Sequence, residues 1–105
     1  MNYVTRDEDI RYVILLSHAT NEKMSLELIR AHVNHLRSLD QEGKLVLCGP
    51  FTDYAGGMVI IRASSKEEAV QIAERDPYVL SGKENYELRT WELSLESNGH
   101  MGIIE

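Results

Sequence analysis

The chain has 105 residues, of which 43% are hydrophobic and 27% are charged. These values are ordinary for a globular protein, and the length suits one domain with its own core. The formal net charge is −6, which argues against binding to nucleic acid or to an anionic membrane surface, because both need a basic face. No apolar run reaches the about 20 residues that a membrane-spanning helix requires.

The two ends of the chain differ in composition from its middle. Residues 1–10 are polar and acidic, and they predict a leader of little structure rather than a signal or transit peptide. The domain itself is expected at residues 11–95, followed by a tail at residues 96–105. Cys48 is the single cysteine and cannot form an internal disulfide, so a reducing, cytoplasmic setting is expected.

The first half of the domain predicts a strand, a helix and a second strand. The apolar run at residues 12–16 is too short for a helix and predicts a strand covered on both faces, followed by a loop at residues 17–21. Ser25 is a good N-cap and Gly43 a good C-terminal glycine for the helix between them. Its predicted inner stripe consists of Leu26, Leu28, Ile29, Val33, Leu36 and Leu39. Residues 44–48 predict the second strand, which Gly49-Pro50 should stop.

The second half predicts a hairpin, another helix and a last strand. A loop at residues 51–56 leads to a third strand at 58–61, with Gly56-Gly57 supplying freedom to turn. Overlapping capping boxes at Ser64 and Ser65 begin the second helix, which must end by Asp76 because a proline follows. One more turn closes at Gly82. A fourth strand spans residues 86–93, and a shift in its apolar parity predicts a bulge.

The order β-α-β-β-α-β indicates an α+β, ferredoxin-like fold, with an antiparallel sheet and both helices on one face. The first three predicted strands are apolar on both faces, so the face without helices must also be covered. A second copy of the sheet in a two-fold homodimer is the favoured cover. A large apolar ligand is the alternative.

His32 is the first candidate for chemistry, because it falls inside the apolar stripe of the first helix. One interpretation is a neutral core histidine that is hydrogen-bonded to a backbone carbonyl. The other is a general acid or base, since histidine titrates near neutrality.

Asp76 is the second candidate. A carboxylate at the end of the second helix opposes the helix dipole, which calls for a compensating contact. Asp76 can cap the next turn, with Pro77 at its first position, or it can pair with a cationic His32. The two are compatible because a carboxylate has two oxygens.

Other residues give weaker signals. His18, His32 and His35 do not have the spacing of a metal site and no carboxylate cluster completes one, so no metal is predicted. Cys48 is expected to be buried and inert. Tyr54, Tyr78 and Trp91 can line a pocket or fill a core.

Several of these features together resemble the YCII-related domain family of the dimeric α+β barrel superfamily, over about Arg11 to Leu93. The features are His32, Gly43-x-Leu45, Gly49-Pro50, the helix start from Ser65 to Ala69, Asp76-Pro77-Tyr78 and Gly82. The resemblance implies a ferredoxin-like protomer that dimerises through its sheet, and an active site formed by His32 and Asp76.

The resemblance also sets the functional expectation. Relatives with this fold act on small cyclic or aromatic acids, lactones and quinones without a cofactor. The chain is therefore expected to be a small cofactor-independent lyase or isomerase, in which His32 moves a proton and Asp76 orients it. Tyr78, Phe51 and Tyr54 are the expected substrate-binding residues. The alternative is a homodimeric module that binds a small molecule without catalysis.

Overall fold

The computed structural model describes residues 6–101. Its strands are β1 (Ile10–His18), β2 (Leu45–Pro50), β3 (Gly56–Ile61) and β4 (Glu84–Glu92). Its helices are α1 (Leu26–Gln41), α2 (Lys66–Arg75) and α3 (Pro77–Leu80). Short 3-10 turns lie at Asp7–Asp9 and Glu96–Met101. Among these residues, no helix has the length and apolar character to cross a membrane.

The four strands form one antiparallel sheet in the order β2-β3-β1-β4. Every second residue of β1 and β3 points toward the helices, and these residues form the core with α1 and α2. The core cluster consists of Tyr12, Ile14, Leu16, Leu39, Val59, Ile61, Ala69, Ile72 and Ala73. The predicted ferredoxin-like α+β fold is therefore confirmed, with the helices on one face of the sheet.

The predicted helix starts are also present. Ser25 Oγ accepts the Leu28 backbone N–H at 3.1 Å, and Ser65 Oγ accepts that of Glu68 at 3.1 Å. These bonds satisfy donors that the first helical turn leaves free. Gly43 has φ 74°, the left-handed conformation that suits glycine just after a helix.

Two strands are longer than their sequence patterns indicate. The predicted loop at residues 17–21 is wrong at its start, because β1 runs on to His18 and pairs with β4 along its whole length. The second strand ends at Gly49-Pro50 as predicted, but it includes both residues instead of ending at Cys48, since Pro50 pairs with Gly57. A proline is tolerated there because β2 lies at the edge of the sheet.

The predicted bulge in the fourth strand is wrong as well. The pairing of β4 with β1 is continuous, and the register shift of the sheet lies in β2, between Leu45 and Leu47. Trp91 changes the apolar parity of β4 because it pairs with Arg11 and lies on the face away from the helices.

The apolar stripe of α1 is only partly buried. Leu39 is buried and Leu36 packs against the core. Leu26 and Ile29, by contrast, are 61% and 37% exposed, so their predicted inward position is wrong. Farther along α1, a cavity separates the helix from the sheet and takes the place of close packing.

Hydrogen bonds connect the described parts of the leader and the tail. The buried Asn98 donates to Asp9 Oδ2 at 3.2 Å and to the Leu93 carbonyl at 2.7 Å. Arg6 contacts the same Asp9 oxygen at 3.1 Å. The expected lack of structure is therefore wrong for residues 6–10, whereas residues 1–5 and 102–105 of the leader and tail lie outside the described residues.

Candidate active site

His32 and Asp76 are in direct contact. The Nδ1 atom of His32 lies 2.8 Å from Asp76 Oδ1, and the two side chains are 13% and 5% exposed. An ionised carboxylate only accepts hydrogen bonds, so Nδ1 donates the proton in this contact. The other ring nitrogen of His32, Nε2, is then a proton acceptor.

Asp76 also caps α3. Its Oδ1 atom accepts the backbone N–H of Tyr78 at 3.0 Å, and Pro77 occupies the first helical position. One oxygen therefore serves both interpretations drawn from the sequence, the cap and the contact with His32. These two hydrogen bonds hold the carboxylate in one orientation, and the carboxylate in turn fixes the plane of the imidazole.

Tyr78 completes the arrangement. Its ring stacks on that of His32, with the centroids 3.8 Å apart and the planes 9° from parallel. Burial raises the pKa of Tyr78, and the negative charges of Glu84 and Asp76 raise it further. Tyr78 is thus a neutral platform that fixes the His32 ring from one side.

A cavity of about 460 Å³ lies between α1 and the sheet, and both His32 and Tyr78 line it. Apolar side chains form much of its wall: Leu16, Met24, Val33, Leu36 and Val59. Gly56 and Gly57 line it where β3 begins.

Glycine is required at these two positions because the backbone of a neighbouring strand lies very close, and not because the chain turns there. A Cβ atom on Gly56 would lie 2.0 Å from the Leu16 carbonyl oxygen, and one on Gly57 would lie 2.8 Å from that of Gly49. The interpretation of Gly56-Gly57 as a turn is therefore wrong, because both residues lie inside β3.

The same cavity holds a second histidine–carboxylate pair, which the sequence did not predict. His18 Nε2 lies 3.2 Å from Glu84 Oε2, and both residues line the cavity. Burial raises the pKa of Glu84; His18 and His32 oppose this shift, and Asp76 adds to it. In the sequence, His18 is a candidate only for metal binding, and nothing around Glu84 distinguishes it from a residue of a surface turn.

The remaining candidate residues lie elsewhere or differ from expectation. Phe51 and Tyr54 contact each other edge to face at 6.4 Å, and neither lines the cavity. Phe51 instead borders a shallow groove with Leu47 and Ile60. The expectation that Cys48 is buried is wrong: it is exposed and lines the cavity, where partial burial raises its pKa.

His35 does not line the cavity, and burial lowers its pKa, opposed by the charge of Asp76. Within residues 6–101, no three side chains of the metal-binding types form a group that could hold an ion.

The fold and this cavity define a ferredoxin-like α+β protein with a histidine–aspartate pair that joins its first helix to the start of α3. A family model of the YCII-related domain matches residues 10–92. The chain belongs to this family, as its sequence features indicated.

One known protein is similar to this chain in sequence and another is similar in fold. The uncharacterized protein YjpA of Bacillus subtilis (strain 168) is 37% identical over 82 residues, which cover 78% of this chain and 96% of YjpA. A solved structure of similar fold is 5-chloro-2-hydroxyhydroquinone dehydrochlorinase (TftG) from Burkholderia phenoliruptrix AC1100, in complex with 2,5-dihydroxybenzoquinone. The match has a TM-score of 0.60 and 22% identity, and covers 84% of this chain and 98% of TftG.

Proposed function

We propose that the protein is a small enzyme of the lyase or isomerase type that transfers protons on a small cyclic or aromatic substrate. The observation that carries this proposal is the His32–Asp76 contact at the wall of a cavity. Histidine is suited to general acid–base catalysis near neutral pH. Asp76 holds Nδ1, so Nε2 of His32 takes the proton, and Asp76 stabilises the imidazolium that forms.

The cavity supports the proposed substrate class. Its volume of about 460 Å³ is within the usual range for small-molecule sites, and its wall is largely apolar. A planar ring fits such a wall, while His18, His32 and Glu84, which line the cavity, bind its polar substituents. TftG, of the same fold, is a dehydrochlorinase whose structure contains a quinone, which agrees with an oxygenated ring as the substrate.

Of the three residues predicted to bind substrate, Tyr78 remains in the proposal. It borders the cavity and stacks on His32, so it positions the base against the substrate. Phe51 and Tyr54 are left out because they do not line the cavity. No cofactor is part of the proposal, since the proton transfer requires only the imidazole and its carboxylate. A reducing, cytoplasmic setting belongs to it as well, because Cys48 is the single cysteine of the chain.

We also propose a homodimer that packs through the face of the sheet opposite the helices. In β1 and β3 this face presents the residues that alternate with the core, and in β2 it presents an exposed leucine. Its apolar residues are Val13, Leu15, Leu47, Met58 and Ile60. A face of this kind is typical of a subunit contact.

The dimer is tested by light scattering on a sizing column. The wild type should have twice the mass of one chain, and Leu47→Glu should shift it toward one chain because it places a charge on the 67% exposed leucine of this face. Asn85→Asp on β4 is the control, because it adds a charge to the polar side of the same face. A wild type with the mass of one chain would contradict the dimer.

The enzymatic proposal is tested by solvent deuterium exchange. The protein is incubated in D₂O with cyclohexanone or γ-butyrolactone, and NMR follows loss of the protons next to the carbonyl. His32→Gln should lower the exchange rate by about 100-fold or more, the usual contribution of a general base. His35→Gln, on the same helix but outside the cavity, is the control.

Binding of 2,5-dihydroxybenzoquinone, followed by its absorbance, separates an enzyme from a binding module. An enzyme loses exchange in His32→Gln and keeps much of its affinity for the quinone. If the wild type binds the quinone but exchanges neither probe, the chain is the binding module.

A further inference from the structure

His18 and Glu84 form a defined pair at one end of the sheet. His18 is the last residue of β1 and Glu84 the first of β4, and the two are direct partners in the strand pairing. Their side chains therefore point to the same face, which is the helix side and faces the cavity. The Nε2 atom of His18 lies 3.2 Å from Glu84 Oε2.

The two members differ in their access to solvent. The Glu84 side chain is 4% exposed, whereas that of His18 is 45% exposed. A carboxyl group buried beside an apolar wall is costly to ionise, and a purely structural position at a strand start does not require one. His18 connects this buried acid to water.

Titratable groups on the neighbouring elements shift the pKa of Glu84. His18 on β1 and His32 on α1 favour its charged form, whereas Asp76, just before α3, favours its neutral form. Glu84 in turn raises the pKa of Tyr78 on α3. Burial outweighs the histidines, so the pKa of Glu84 is raised, and this shift favours the protonated form that a general acid needs.

We propose that Glu84 and His18 form a second proton-transfer pair, in which Glu84 protonates an oxygen of the substrate and His18 carries protons between Glu84 and solvent. This inference rests on the proposed function, because it assigns the acid that complements His32 as the base. It also narrows the substrate class to molecules with a carbonyl or hydroxyl oxygen and an acidic C–H bond on one ring.

The proposed step balances without a further reactant. Nε2 of His32 takes a proton from the carbon next to a carbonyl, and the electron pair of that C–H bond becomes a C=C bond. The π pair of the carbonyl moves to its oxygen, which receives the proton of Glu84. In a ring with a C=C bond next to the deprotonated carbon, the product of this step is a dienol. The enol O–H then returns its proton to Glu84 and the C=O bond re-forms; the first C=C bond moves into conjugation with it, and the far carbon of the dienol takes the proton from His32, which completes an isomerisation.

The test uses the same deuterium exchange, with variants of the second pair in the full chain. Glu84→Gln keeps the size of the side chain but cannot donate an acidic proton, so the exchange rate should fall about 100-fold while the affinity for 2,5-dihydroxybenzoquinone changes little. Glu87→Gln is the matched control, since Glu87 lies on β4, is exposed and faces the opposite side of the sheet.

His18→Gln should show the defect of a proton carrier. Its exchange rate should fall, and added imidazole should restore it, which a purely structural defect would not allow. Circular dichroism establishes that each variant is folded, and Glu84→Asp serves as a second variant with the acid retained.

The outcomes separate this inference from the function on which it rests. If His32→Gln abolishes exchange and Glu84→Gln exchanges as fast as the wild type, the second pair is refuted and the function stands. If Glu84→Gln is slow but imidazole does not rescue His18→Gln, the role of His18 is refuted. If the wild type exchanges neither probe, both proposals are contradicted.

Discussion

Replacement of Asp76 should reveal its two bonds separately. Asp76→Ala removes the cap of α3, at a cost of about 1 kcal/mol. It also leaves His32 Nδ1, in a side chain that is 13% exposed, without its acceptor, at a cost of about 1–3 kcal/mol. The free energy of unfolding should therefore fall by about 2–4 kcal/mol. Asp76→Asn retains a capping oxygen and loses only the charge of the bond to His32, so its cost should be about 1 kcal/mol.

Urea denaturation followed by circular dichroism measures both values. A double-mutant cycle with His32→Gln isolates the pair, and a coupling free energy of about 1 kcal/mol or more is expected for side chains in contact. Asp53→Ala, in the exposed loop between β2 and β3, is the control. A loss below about 0.5 kcal/mol in Asp76→Ala would refute the reasoning, because that is the usual effect of a surface substitution.

Three further substitutions test other parts of the structure. Gly56→Ala should destabilise the protein by about 2 kcal/mol or more in urea denaturation, because its Cβ atom would collide with the backbone oxygen of Leu16; an unchanged midpoint would contradict the close approach. Burial raises the pKa of Glu84 in the folded protein above its ordinary 4.5. The contribution of the protonated carboxyl to folding stability is therefore complete below pH 4.5, and it is lost as the pH rises through the raised pKa of the folded state. The stability of Glu84→Gln relative to wild type should therefore increase from about pH 4 to about pH 8, by about 1.4 kcal/mol per unit of the shift, and a pH-independent difference would contradict it. Asn98→Ala should leave Asp9 without one of its hydrogen-bond donors and speed amide hydrogen exchange around residues 93–98. Exchange rates equal to those of the wild type would show that Asn98 does not hold the tail to the leader.

The fold was predictable because its local signals agree with one another. Ser25 and Ser65 mark helix starts, Pro77 limits α2, and the apolar runs of β1 and β3 fit only buried strands. The contact between His32 and Asp76 was predicted as one possibility, since both helices lie on one side of the sheet. The resemblance to a known family favoured it over the alternatives.

The second pair was not predictable, because it depends on register. His18 looks like a loop residue after the apolar run, and Glu84 follows a glycine turn. Only the pairing of β1 with β4 brings them together, 66 positions apart in sequence. The exposure of Cys48 was missed for a related reason: periodicity indicates which residues share a face but cannot show that a cavity replaces packing there.

The most direct test of the central claim is the ¹⁵N NMR spectrum of the His32 ring at a pH at which the imidazole is neutral. The spectrum is recorded without and with added 2,5-dihydroxybenzoquinone. The account predicts that Nδ1 carries the proton, because Asp76 accepts from it, and that Nε2 is unprotonated and changes its shift when the quinone binds. In Asp76→Asn this preference should weaken to a mixture of tautomers. A wild-type ring with its proton on Nε2, and with shifts indifferent to the ligand, would contradict the assignment of His32 as the base of the cavity.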